Sequence, residues 1–125
     1  MKFYSRRFVK PTDLNATNVL FGGRLLSWID EEAAIFAACQ MKTKYLVTKL
    51  ISEINFTSPA RTGDVLEFGL AVVSVGTTSL TVKCVVRNKV TLESIIEIDR
   101  MVFVAMSEEG VPIPHGLEPT TAVAA

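Results

Sequence analysis

The sequence is short of net charge, cysteine, histidine and long apolar runs, and each shortage excludes a class of protein. Its 13 basic and 13 acidic residues cancel and are scattered along the chain, so no basic stripe exists to neutralise nucleic acid phosphates or an anionic lipid surface. Nowhere does it hold the roughly 20 consecutive apolar residues of a membrane-spanning helix. The first residues, Met1-Lys-Phe-Tyr-Ser-Arg-Arg, lack the apolar run of a secretory signal. The expected location is the cytoplasm, with neither nucleic acid nor membrane as a partner. Cys39 and Cys84 sit among apolar residues without CxxC spacing or a neighbouring histidine, and read as buried free thiols. The one histidine, His115, stands in a proline-flanked tail and reads as a surface residue, which rules out a Ser/His/Asp triad. No His/Cys/carboxylate cluster has ligand spacing, so no metal is expected.

What the chain does have is apolar residues, 49% of 125. That is one domain, able to bury roughly two thirds of its unfolded surface. A mean hydropathy of +0.35 is high for a small soluble monomer, because one small core cannot hide so much apolar surface; self-association is expected.

Hydrophobic periodicity divides the chain into an α+β pattern. Residues 2–10 alternate weakly, with Phe3 and Phe8 as anchors and Arg6, Arg7 and Lys10 outward, and Pro11 ends a short edge strand. A polar loop follows: Asp13, Asn15, Thr17, Asn18 and the pair Gly22-Gly23 are turn formers through side-chain acceptors and tolerance of positive φ. From Arg24 to about Met41 hardly any polar face remains, which predicts a buried helix. Lys42 and Lys44 beyond its end complement the helix dipole. Period two then takes over in four long strands, 45–56, 65–75, 79–87 and 94–106, separated by turn signals. A curved antiparallel sheet wrapped around the single helix accounts for this order. The domain is expected to span 1–110, with 111–125 a tail whose last part is disordered.

The helix carries one carboxylate, Asp30, among Leu26, Ser27, Ala33, Ala34 and Ala37. Desolvation there would make it a stronger base than a surface aspartate. The free amides at the helix start near Gly22 and Gly23 can receive an oxyanion, an approach that a side chain at Gly23 would obstruct. Blander readings stand beside these. Asp30 can be a solvated or arginine-paired surface carboxylate, Asn15 a turn residue, and the glycine pair mere loop material. Glu31 and Glu32 point toward bulkier residues including Trp28 and fit interface or solvent roles.

The order of the glycine pair, the helix with its aspartate, Val47-Thr48, Ile54-Asn55-Phe56, Pro59, Gly63-Asp64, Gly76-Thr-Thr-Ser79 and Phe103-Val104-Ala105 resembles the hotdog-fold acyl-CoA thioesterases, in particular the short broad-specificity bacterial type. The likeness runs over roughly residues 5–106. It implies hydrolysis of acyl-CoA to a carboxylic acid and coenzyme A, with Asp30 as base or nucleophile and Asn15 reaching it across a subunit interface. It also implies dimers joined sheet edge to sheet edge, assembled as a trimer of dimers, and no cofactor beyond the coenzyme A of the substrate. Gly76, Thr77, Thr78 and Ser79 match the family's segment near coenzyme A, and Arg61 and Arg87 are candidates for its phosphates. The family usually has glycine where this chain has Asn18, but asparagine tolerates left-handed dihedrals, so the loop can keep its shape. A non-hydrolytic acyl-CoA sensor on the same scaffold is the competing reading. A hotdog dehydratase is poor, because it needs a histidine in the site.

Overall fold

The computed structural model describes residues 1–120. One helix, α1 (Gly22–Met41), follows the strand β1 (Lys2–Phe8) and a 3-10 turn at Pro11–Asp13. After it come β2 (Leu46–Ile51), β3 (Ile54–Phe56), β4 (Val65–Val75), β5 (Ser79–Asn88) and β6 (Ser94–Ala105). The strands form one antiparallel sheet in the order β1-β4-β5-β6-β2, with β3 also paired to β6. The expected α+β architecture is present.

The alternation in β5 shows why the sheet grips the helix. Leu80, Val82, Cys84 and Val86 are buried while the residues between them are half-buried, so one face of the strand meets α1. Leu66, Phe68 and Leu70 of β4 and Ile96, Ile98, Met101 and Phe103 of β6 join that face. Against it lie Leu25, Trp28, Ile29, Ala33, Phe36, Ala37 and Met41 of α1. Each large side chain buried this way contributes roughly 1.5–3 kcal/mol before chain entropy is set against it. No helix among the described residues is long and apolar enough to cross a membrane.

Five expectations need correction, four along the sheet and helix and one in the tail. Residues 45–56 form two strands rather than one: Ser52 and Glu53 lie between β2 and β3, where Ser52 N donates to Arg100 O and Ser52 Oγ accepts from Arg100 N. The edge therefore bends around the helix while both parts stay paired to β6. In β1, Phe8 is 68% exposed and Val9 is buried in its stead, while Arg7 turns inward to Glu31 and Glu32, each at 3.1 Å. Burial alternates without a break from Lys2 to Phe8, so Phe3 and Phe8, five residues apart, fall on opposite faces of the strand. Cys39 is exposed, and only Cys84 is a buried thiol. Burial, with the charge of Glu32 adding to it, pushes that thiol up to about 12. Finally, Gly22 and Gly23 are not at positive φ; they are the first two helical residues, and the left-handed position in the loop is Asn18, at φ 61.

The tail runs along the sheet rather than away from it. Ile113 N donates to Ala105 O and His115 N to Thr77 O, and Thr120 pairs with Val75. His115 is half-buried, not a surface residue: Nε2 meets Ser79 O at 2.9 Å and Nδ1 accepts from Leu117 N at 3.0 Å. The disorder expected of the last part of the tail falls on residues 121–125, outside the described residues.

Candidate active site

The loop before α1 is stiffened by its own polar side chains. Asn15 Oδ1 accepts from Thr17 N at 2.9 Å, Thr17 Oγ1 at 2.7 Å and Val19 N at 3.3 Å. That is the turn-forming role open to any asparagine, and its amide nitrogen takes no part in these bonds. Asp13, only 3% exposed, accepts from Lys10 N at 2.8 Å and faces Arg24 at 3.7 Å. Its backbone oxygen also accepts from Phe21 N. Asp13 thus fixes where the helix begins. Sequence reasoning treated it only as a turn residue; an aspartate three residues after Lys10 and just after Pro11 was the available signal.

The helix start itself is left open. Phe21 is the N-cap residue and offers no side-chain cap, so the first amides of α1 have no acceptor within the helix and carry the positive end of its dipole. A Cβ on Gly23 would meet nothing within 4 Å, whereas one on Gly22 would stand 3.0 Å from the tip of the Phe56 ring. Inside the chain, the close approach is at Gly22.

Asp30 is half-buried on α1 and accepts a hydrogen bond from Thr48 Oγ1 at 2.7 Å. Thr48 belongs to β2, the strand at one end of the sheet, so the carboxylate lies beneath a free edge. Thr48 appeared in the sequence only as part of a pattern, because nothing local shows that a strand residue 18 positions on will meet the helix. Eight residues separate Gly22 from Asp30, about 12 Å along the axis at roughly 1.5 Å per residue. One carbonyl group cannot touch both within a single chain. Neither is Asn15 brought to Asp30 by any hydrogen bond within the chain.

The neighbouring acids have other duties: Glu31 and Glu32 both hold Arg7, which also stacks 5.5 Å from the Trp28 ring centre. Trp28 and Phe36 belong to the core, and Ile35 is 60% exposed. Gly76–Ser79 is the β4–β5 turn, closed by Gly76 N donating to Ser79 O at 2.9 Å. A Cβ on Gly76 would collide with Ser79 Oγ. Thr78 and Ser79 border a cavity of about 390 Å³ with Lys49, Leu50, Val102, Val104 and Pro112. Arg87 is engaged elsewhere, 2.6 Å from Glu67 and stacked 3.8 Å from the Phe3 ring centre. Arg61 is exposed at the Thr62–Asp64 turn.

One long helix held in a curved antiparallel sheet, with open amides at its start and a carboxylate two turns on, defines the hotdog class. A model of the thioesterase superfamily matches residues 17–95, and the chain belongs to that superfamily. It is similar to an uncharacterised acyl-CoA thioester hydrolase of Bacillus subtilis, 35% identical over an alignment of 111 residues that covers 85% of this chain and 63% of the relative. The chain thus spans just under two thirds of that relative's length. Among solved structures it is similar to a hexameric thioesterase of Yersinia pestis, at TM-score 0.83 and 28% identity, covering 90% of this chain and 93% of that one. It is also similar to an acyl-CoA hydrolase of Staphylococcus aureus in complex with butyryl coenzyme A, coenzyme A and its disulfide, at TM-score 0.78 and 33% identity, covering 88% of this chain and 66% of that one.

Proposed function

We propose that the protein hydrolyses acyl-CoA thioesters, and that it does so only when copies assemble, with Asp30 of one chain working beside the partner's Asn15 and the partner's Gly22 and Gly23. The observation that carries this reading is the placement of Asp30: a half-buried carboxylate, oriented by Thr48, under a sheet edge that no strand among the described residues covers. The distance along α1 gives the reason for two copies, since the open amides and the carboxylate of one chain lie too far apart to share a substrate carbonyl. Superfamily membership supports the reaction, and the names of the relatives supply the substrate class. The Yersinia pestis thioesterase is hexameric, which supports self-association of this chain into a hexamer; its arrangement as a trimer of dimers is part of the proposal.

In this site Asp30 takes a proton from water as the water oxygen bonds to the thioester carbon. The carbonyl electrons move onto oxygen, where the helix-start amides stabilise the charge. When the carbonyl re-forms, the carbon–sulfur bond breaks, and the coenzyme A thiolate takes up the proton that Asp30 holds. Direct attack by the carboxylate, with the resulting anhydride hydrolysed afterwards, needs the same geometry. Asn15 orients the water or bonds the thioester carbonyl through its uncommitted amide nitrogen. Gly76–Ser79 and Arg61 are the proposed contacts to coenzyme A, and Arg87 joins them only by leaving Glu67.

A panel of acyl-CoAs with detection of released thiol tests this, comparing the native protein with Asp30→Asn, which keeps the bulk and removes the base. Turnover should fall by about 10²–10⁴-fold in the variant. Unchanged turnover would move the catalytic role to another group. No turnover in the native protein, together with tight coenzyme A binding, would make it a binding module.

A further inference from the structure

Beside the helix start lies a cavity of about 330 Å³ walled by Val19, Gly22, Leu25, Phe56, Pro59 and Ile95. Its position is informative, because Gly22, whose amide is open, forms part of the wall. A carbonyl bonded at that amide would leave its alkyl tail at the cavity mouth. The chemistry of the lining is equally specific. The hydroxyls on it among the described residues, those of Thr57 and Ser58, both donate to Ser94 O, so beyond the Gly22 amide at its mouth the lining has no side-chain hydroxyl left free for a polar ligand. Leu25 is 2% exposed and Ile95 3%, but Phe56 is 55% exposed. Its ring lies close over Gly22, where an added Cβ would stand 3.0 Å from the ring tip. A large aromatic half in solvent at the rim of an apolar cavity is a movable wall.

We propose that this cavity receives the acyl chain of the thioester, and that Phe56 sets the chain length it accepts. The inference rests on the hydrolase reading above and adds a specificity determinant to it. At roughly 30 Å³ for a group the size of a water molecule, 330 Å³ holds a straight chain of at most about ten carbons. Phe56 is not in the reacting machinery, so it acts on selectivity between substrates and not on the chemical step.

The test is kcat/KM for straight-chain acyl-CoAs from acetyl to palmitoyl, measured on the native protein, Phe56→Ala and Val19→Trp, with the assembly state of each checked by size. In the native protein kcat/KM should climb by up to about fourfold per methylene, the factor for one buried CH₂, and then drop once the cavity is full. Phe56→Ala should move that drop to longer chains and raise the long-to-short ratio by at least about tenfold, while Val19→Trp, filling the cavity from its half-buried side, should move it to shorter chains. Acetyl-CoA should be turned over at nearly the native rate by both. Native-like length profiles in both correctly assembled variants would overturn the proposal and leave the hydrolase reading intact. Loss of assembly in Phe56→Ala with no change in profile would assign the ring to contact between copies and also overturn it. Absence of turnover on every chain length in the native protein would sink both readings together.

Discussion

The two ends of the sheet are built on opposite principles. At one end β1 is fastened by charge: Glu67 on β4 sits between Arg6 and Arg87 at 3.4 and 2.6 Å, and Arg7 ties the strand to Glu31 and Glu32 of α1. Charged side chains on an edge strand also discourage further pairing. At the other end five of the six β2 residues are exposed, and Val47, Leu50 and Ile51 are 38–45% exposed. Among the described residues, the one side-chain hydrogen bond made by β2 is the one from Thr48 to Asp30. Both strands leave an outer backbone edge unpaired, but the β1 edge is finished with charge, whereas the β2 edge bears apolar side chains and no ion pair among the described residues. The catalytic candidate stands under the unfinished edge, which ties the chemistry to whatever completes the sheet.

The strongest way to break this contrast is to finish β2 artificially. Val47→Lys combined with Leu50→Lys gives β2 the charges that protect β1, and should yield a folded monomer whose thioester turnover is lower by at least about a hundredfold, the scale on which losing oxyanion donors acts. Phe8→Lys, on the exposed side of β1, is the mirror experiment and should change neither size in solution nor rate. Equal dissociation in the two variants would mean that the edges do not differ as described. A full rate from the monomer would place the whole site within one chain.

A smaller effect is expected at Thr48, which does not react but holds Asp30. Thr48→Ala should lower kcat by about tenfold to a hundredfold with KM little changed, since a loosened carboxylate is misplaced rather than removed. Thr48→Ser keeps the hydroxyl and should restore most of the rate. If serine rescues nothing, the residue acts through its packing.

How much of this was legible beforehand follows from how local each signal is. The helix and the strands could be read because burial repeats along the chain with a period that local geometry dictates, as the clean alternation in β5 illustrates. Asn18 could be read as a substitute for glycine, and it does adopt positive φ. What escaped were features set by partners far away in sequence. The break at Ser52–Glu53 answers to Arg100 of β6, and Thr48 becomes notable only once α1 packs beneath β2. Arg7 and Phe8 took the sides opposite to those expected because Phe3 and Phe8 stand an odd number of residues apart, and strict alternation from Phe3 turns Arg7 inward and Phe8 outward. Glu67 carries no signal of its own in the sequence, and only two arginines from other strands make it a buried anion.

That anion supplies the mildest test of the comparison, because it belongs to the finished edge and should matter for stability alone. Burial by itself would raise the Glu67 carboxyl, but the hydrogen bond and charge of Arg87, joined by Arg6 and Lys89, outweigh it and hold the group below its ordinary 4.5. A carboxylate held low in the folded state contributes stability that is complete above its unfolded value and disappears as pH falls through the folded one. Glu67→Gln keeps the shape and part of the hydrogen bonding. With the partners Arg87 and Arg6 34% and 61% exposed, and so screened by solvent, the variant should lose only about 1–2 kcal/mol at neutral pH. Thermal unfolding followed across pH should show native and variant separated by a constant gap above about pH 5, closing as the medium is acidified below it. Thioester turnover at neutral pH should be the same in both. A gap that persists unchanged into acid would mean that β1 is held by packing on Phe3 and Gly69 rather than by charge, and the two edges would then differ in polarity without differing in what fastens them.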